Sequence, residues 1–132
     1  MEHKVEKKRM PMNLNDYQKK AMLTCMPTSE NFSYMMLNLV GEVGEFASKV
    51  AKSIRKNEAY IGEDNKLFYK DHFSEIDPQE KELMKEAGDI LWQLSGLCTV
   101  MGWNLDDVAQ MNIDKLASRQ ERNVIDGDGD NR

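Results

Sequence analysis

Two pairs of acidic residues at helical spacing carry the chemistry this sequence can do. Glu42 and Glu45 lie in GEVGE, and Glu86 and Asp89 lie in KEAGDILW. Residues three apart on a helix differ by about 60° around its axis, so each pair shares a face. Each pair also borders apolar residues that a fold would turn inward. Carboxylates gathered at such an edge repel one another and hold their protons. A hard divalent cation reverses that penalty, because Mg²⁺ takes oxygen ligands and is readily shared between carboxylates and substrate phosphates. The pattern therefore points to a metal site and to phosphate chemistry. One pair alone would carry little weight: with 23 acidic residues in the chain, such spacings arise by chance and usually mark solvated helix faces. Two pairs beside apolar stripes on successive long helices carry more.

The elements that must position these residues read as helical. A first helix runs from Leu14 to about Cys25, with Asn13 as its cap and Asp16 at the positive end of its dipole; Pro27 stops it. A second runs from about Asn31 to Lys56. Its apolar residues Met36, Leu39, Val40, Val43, Phe46, Ala47, Val50, Ala51 and Ile54 recur at three and four, which predicts one broad buried face. Glu45, Lys49, Lys52 and Lys56 project opposite, and Glu42 lies at the seam. The stretch 57–76 breaks the pattern and reads as a long connection carrying Gly62, Tyr60, Phe68, Tyr69 and Phe73. Pro78 opens a third helix, with Asp77 as N-cap and Glu80 placed for a capping box. Its stripe is Leu83, Ala87, Ile90, Leu91, Leu94, Leu97, Cys98 and Met101, and Gly102 ends it. Asn104 caps a fourth helix from Leu105 to about Arg122. Strand signals are weak throughout. The expectation is one all-α domain over residues 13–122 with two long central antiparallel helices, preceded by a flexible leader at 1–12 and followed by a flexible polar tail at 123–132.

Composition narrows the function. Hydrophobic residues make up 40% of 132, enough for one core, and the formal charge of −5 offers no general attraction to a nucleic-acid polymer. No apolar run is long enough to span a bilayer, and the opening MEHKVEKKRM lacks the apolar region of a signal peptide. Cys25 and Cys98 fall inside helical patterns and suit free thiols in a reducing, cytoplasmic compartment. Neither histidine, His3 or His72, follows a glutamate by three, which argues against a di-iron bundle. The DGDGDNR end starts like a calcium loop but lacks its glycine and its bidentate glutamate.

Further residues bear on a ligand. Gly41, Gly44 and Gly88 interrupt good helical runs at about 1 kcal/mol each relative to Ala, a cost that close helix approach or room for a ligand would justify. Asn112 projects from the middle of the apolar face formed by Leu105, Val108, Ala109 and Leu116, either as a satisfied core amide or as a group that holds a ligand. Lys115 and Arg119 border that face and could meet a phosphate. Trp92, one helical step from Asp89, is a packing aromatic or a platform for a base.

Taken in order, LNLVGEVGEFASKVAK, KELMKEAGDILWQLSGL and GWNLDDVAQMNIDKLASR resemble the MazG-like, all-α nucleoside triphosphate pyrophosphohydrolases over roughly residues 14–122. That family is marked by E-x-x-E, E-x-x-D and a later N-x-x-K-L, here Glu42/Glu45, Glu86/Asp89 and Asn112/Lys115/Leu116. The resemblance implies a four- to five-helix bundle completed by forming a homodimer or homotetramer. It implies hydrolysis of an NTP or dNTP to the monophosphate and pyrophosphate, with Mg²⁺ (or Mn²⁺) bound by Glu42, Glu45, Glu86 and Asp89. Within that scheme Glu45 is the candidate base, Asn112 and Lys115 hold the phosphate chain with help from Lys49, and Trp92 can stack on the base. The segment between the first two motifs is longer than the family pattern. The alternative is a non-catalytic nucleotide-binding or helical interaction module forming a regulatory dimer.

Overall fold

Short polar side chains set the start of each long element. In the computed structural model, which describes residues 11–70 and 77–132, Asn13 Oδ1 accepts from the Asp16 N–H at 2.7 Å, Asn31 Oδ1 from Tyr34 at 2.8 Å, Asp77 Oδ1 from Gln79 at 2.7 Å and Asn104 Oδ1 from Asp107 at 2.8 Å. Each satisfies an N–H that the first helical turn leaves without a partner. The helices are α1 (Leu14–Met22), α2 (Phe32–Arg55), α3 (Pro78–Val100) and α4 (Leu105–Glu121). The first is shorter than its apolar pattern predicts, because a turn at Leu23–Thr24 and a 3-10 turn at Pro27–Ser29 intervene before α2. At the other end of α3, Gly102 takes a φ of 74°, a left-handed conformation that costs glycine little.

The long connection is not plain loop. Ala59–Ile61 (β1) and Leu67–Tyr69 (β2) pair antiparallel, Ala59 opposite Tyr69 and Ile61 opposite Leu67. Three-residue strands are too short to show an alternating pattern, so the sequence carries almost no signal for them. Tyr60 and Phe68 stack at 5.6 Å, and the Phe68 ring closes over Gly62, where a Cβ would collide with it. The hairpin is tied down by a polar relay: Ser53 Oγ donates to Gln79 Oε1 at 2.7 Å, and Gln79 Nε2 donates to Glu58 Oε2 at 2.9 Å. The rest of the connection, 71–76, and all but the last two residues of the leader assigned to 1–12 lie outside the described residues.

The two long helices run antiparallel, with Met35 against Gly96, Lys49 against Glu86 and Ser53 against Gln79. Their contact is rotated from the expected one. On α2 the buried residues are Met35 and Ser53; on α3 they include Leu83, Glu86, Gln93, Ser95 and Cys98. Much of the expected core stripe is exposed: Met36, Val40, Val43 and Ile54 on α2, and Leu91, Leu94 and the C-cap Met101 of α3. A stripe as broad as that of α2 is too wide for one neighbouring helix to cover. The single chain therefore closes part of it and leaves the remainder open.

Helix α1 crosses the end of α3 through buried Gln18, which donates to Thr99 Oγ1 and the Trp103 carbonyl, both at 2.9 Å, and accepts from the Leu105 N–H at 2.9 Å. One amide thus fixes three elements. At the other end of α4, the polar segment after Arg122 folds back. Asp130 Oδ1 lies 3.1 Å from the Arg119 guanidinium and 3.3 Å from Lys115 Nζ, while Arg132 donates to the carbonyls of Val124, Ile125 and Gly129. Composition predicts a flexible polar tail, whereas these hydrogen bonds hold the segment back against α4, and under it Arg119 keeps only 5% of its surface exposed. These cations hold the Asp130 carboxyl below its ordinary range. Asp130→Asn should therefore speed amide exchange across residues 124–132 and leave the global unfolding midpoint unchanged; unaltered exchange there would show that the pairing holds nothing.

Candidate metal centre

The antiparallel register of α2 and α3 sets Glu42 across from the Glu86–Asp89 turn. One carboxylate oxygen from each of Glu42, Glu86 and Asp89 falls within 4.8 Å of the others. Glu86 is buried at 7% exposure, Glu42 is half-buried and Asp89 faces solvent. The two glutamates share a feature. Asn38 Nδ2 donates to Glu42 Oε1 at 3.4 Å, and Lys49 Nζ meets Glu86 Oε1 at 2.6 Å. The second oxygen of each, Glu42 Oε2 and Glu86 Oε2, is buried with no hydrogen-bond partner. A buried carboxylate oxygen without a donor is costly, and a cation shared by both would satisfy the pair. The donor set, carboxylate oxygens alone, suits Mg²⁺ or Mn²⁺ rather than a softer metal.

The electrostatics agree. Burial pushes the Glu42 carboxyl above its ordinary value, and the charges of Glu45, Asp89 and Glu86 push it further. Lys49 is held protonated by its hydrogen bond to Glu86. Tyr17 of α1 is raised by burial and by the charge of Asp89, which places α1 at the border of the cluster.

Of the four expected ligands, three converge. Glu45 is exposed and outside the cluster, one turn along from Glu42 and close enough for its charge to act there. Lys49 faces the site through Glu86. Trp92 is engaged elsewhere: its indole N–H donates to the Ala21 carbonyl at 3.1 Å and to Thr24 Oγ1 at 3.0 Å, tying α1 to α3. Gly44 and Gly88 would each accept a Cβ with nothing within 4 Å, so close approach does not explain them in the single chain; the glycine that does allow close approach is Gly96, where a Cβ would overlap Met35.

Asn112 is exposed rather than buried, because α4 packs on α1 through its first turn and its apolar face stays open. It lies with Lys115 in a cleft of about 750 Å³ that also holds Trp103, Val108 and Met111. That volume is within the roughly 300–1,000 Å³ of small-molecule sites. Trp103 and Tyr17 were not among the residues singled out from sequence. The position of Trp103 directly before the Asn104 cap was the available signal, whereas nothing local to Tyr17 marks it.

The MazG nucleotide pyrophosphohydrolase domain matches residues 30–124, which include all three converging carboxylates, Asn112 and Lys115. The chain is also 37% identical over 103 residues to the "Gene 37 protein" of Mycobacterium phage L5, an alignment covering 78% of each protein. No solved structure matches it.

Proposed function

The chain belongs to the MazG nucleotide pyrophosphohydrolase family, and from that premise we propose that it hydrolyses a nucleoside or deoxynucleoside triphosphate to the monophosphate and pyrophosphate. The observation that carries this reading is the meeting of Glu42, Glu86 and Asp89 with two buried carboxylate oxygens left without donors. Mg²⁺ or Mn²⁺ bound by these carboxylates would neutralise phosphate oxygens and lower the pKa of water. The remaining work falls to the chain's own side chains. Glu45, exposed and adjacent, takes the proton from the attacking water. The water oxygen bonds to the α-phosphorus as the bond from that phosphorus to the α–β bridging oxygen breaks, and pyrophosphate leaves with the electron pair. Lys49 orients the Glu86 carboxylate through its ion pair. Asn112 and Lys115 hold substrate, with Trp103 and Met111 lining the same cleft.

The reading includes self-association. The apolar surface left open on α2 and α3 suits a second α2–α3 pair, which would complete a four-helix bundle. No helix among the described residues is long and apolar enough to cross a membrane, and both cysteines are free, which fits a cytoplasmic setting.

Purified protein with Mg²⁺, incubated with a panel of NTPs and dNTPs, should release pyrophosphate and monophosphate in equal amounts from at least one of them. Orthophosphate alone, or no turnover across the panel, would favour a binding module that does not catalyse.

A further inference from the structure

Lys49 has two neighbourhoods. Its ammonium pairs with Glu86 of the carboxylate cluster, and the residue also lines a separate cleft of about 260 Å³ that runs along α2 to Lys52 and Lys56 and is walled by Tyr69 of the hairpin. This one side chain borders the cleft and also pairs with a carboxylate of the cluster. The cleft is smaller than the roughly 300–1,000 Å³ typical of sites for whole drug-sized ligands, so it suits a small group rather than a nucleoside.

Three lysines line it at positions 49, 52 and 56, along one face of α2 and its C-cap. Its two carboxylates have partners of their own: Glu82 Oε1 is 2.8 Å from Lys85 Nζ, and Glu58 Oε2 accepts from Gln79. The ammonium groups of Lys52 and Lys56 have no ion-pair or hydrogen-bond partner among the described residues. The wall opposite is held by the Ser53–Gln79–Glu58 relay, so the hairpin is docked where it encloses the lysines. This wall belongs to the segment between the two acidic motifs that is longer than the family pattern.

We propose that this cleft is a subsite for the terminal two phosphates of the substrate, the part that leaves as pyrophosphate, with Lys52 and Lys56 as its anion-binding groups. The assignment rests on the triphosphate reading above and adds where the leaving group lies. Ammonium groups act on a phosphate chain as point charges. A leaving group caught between them and the metal cluster has its charge spread over both, with the scissile bond at the cluster.

The test uses inorganic pyrophosphate as its probe, titrated calorimetrically with Mg²⁺ into the wild-type chain, Lys52→Gln, Lys56→Gln and the double variant. Lys66→Gln, a charge removed from the hairpin turn outside the cleft, is the control. Each cleft lysine should contribute about tenfold or less, and the double variant should lose at least about tenfold in pyrophosphate affinity. The control should lose little. For whichever triphosphate is turned over, KM should rise in parallel while kcat changes far less, and affinity for the monophosphate should not move. Unchanged pyrophosphate affinity in the double variant would overturn the assignment. So would an equal loss in Lys66→Gln, which would reveal a general charge effect. If no triphosphate is hydrolysed, the calorimetric comparison still decides the subsite, and only the catalytic reading fails.

Discussion

Glu42→Gln is expected to abolish pyrophosphate release and, in the same protein, to make the ion-free fold more stable. Glu42 is half-buried, and burial first, then the charges of Glu45, Asp89 and Glu86, raises its pKa above the ordinary 4.5. A carboxyl whose folded pKa lies above its unfolded pKa binds its proton more tightly in the folded state. Between the two values the folded state holds more protons, so stability falls as pH rises through that window, and the whole penalty is present above it. The amide of Gln carries no charge and escapes the penalty. In chelator, the wild-type chain should therefore lose stability as pH is raised from 4.5 through the raised value, and Glu42→Gln should lose less. With Mg²⁺ the order should reverse, because a bound cation stabilises the wild-type chain by mass action and the variant lacks one of its ligands. Turnover should fall by on the order of 10²–10³-fold, the range seen when one group aimed at transition-state charge is removed. Denaturation curves at two pH values, with chelator and with Mg²⁺, together with a pyrophosphate assay, test both halves. A fully active Glu42→Gln would remove Glu42 from the metal site. A variant less stable than wild type in chelator at high pH would show that the carboxylates do not repel as argued.

The second large effect concerns the contact that sets the register of α2 against α3. Met35 has no exposed surface, and its thioether lies where a Cβ on Gly96 would be. Met35→Ala should destabilise the chain by about 2–5 kcal/mol, the usual cost of emptying a buried methionine position. Gly96→Ala alone sets a helix-propensity gain of about 1 kcal/mol against an overpacking cost of about 1–3 kcal/mol, and should come out destabilising. In the Met35→Ala background the obstruction is gone. There the added methyl group occupies vacated space, and Gly96→Ala should become stabilising by about 1 kcal/mol. The change of sign is the diagnostic, since it arises only if the two residues share one volume. Chemical denaturation of the four proteins measures it; strict additivity would mean that Met35 does not pack on Gly96. Because Lys49–Glu86 and Ser53–Gln79 lie on the same interface, Met35→Ala should also lower turnover by loosening the placement of Glu86.

Much of the architecture is legible in the sequence. Asn13, Asn31, Asp77 and Asn104 act locally, on N–H groups two or three residues ahead, so the helix starts followed from short windows of sequence. Helix ends were less exact, since the turn after Met22 competes with a continuing apolar pattern. The hairpin was invisible for the opposite reason: three-residue strands have no period to detect, and what holds them, Gln79 bridging Ser53 and Glu58, joins residues 26 and 21 positions apart.

The acidic pairs show where the boundary lies. Residue spacing places Glu42 one turn from Glu45 and Glu86 one turn from Asp89, both pairs bordering apolar stripes on long helices. Those facts follow from the pitch of the helix alone. Which carboxylates meet depends on how α2 and α3 pack. The rotation of α2 against α3 turned Glu42 inward with Glu86, left Glu45 in solvent and drew Tyr17 and Lys49 to the edge. It also decided that Met35, rather than the wider stripe beginning at Met36, faces the partner helix. The physical reason is that an amphipathic arc this broad permits several rotations of nearly equal hydrophobic gain. The choice among them is made by a close steric fit, Met35 into the space over Gly96, between residues 61 positions apart in the chain.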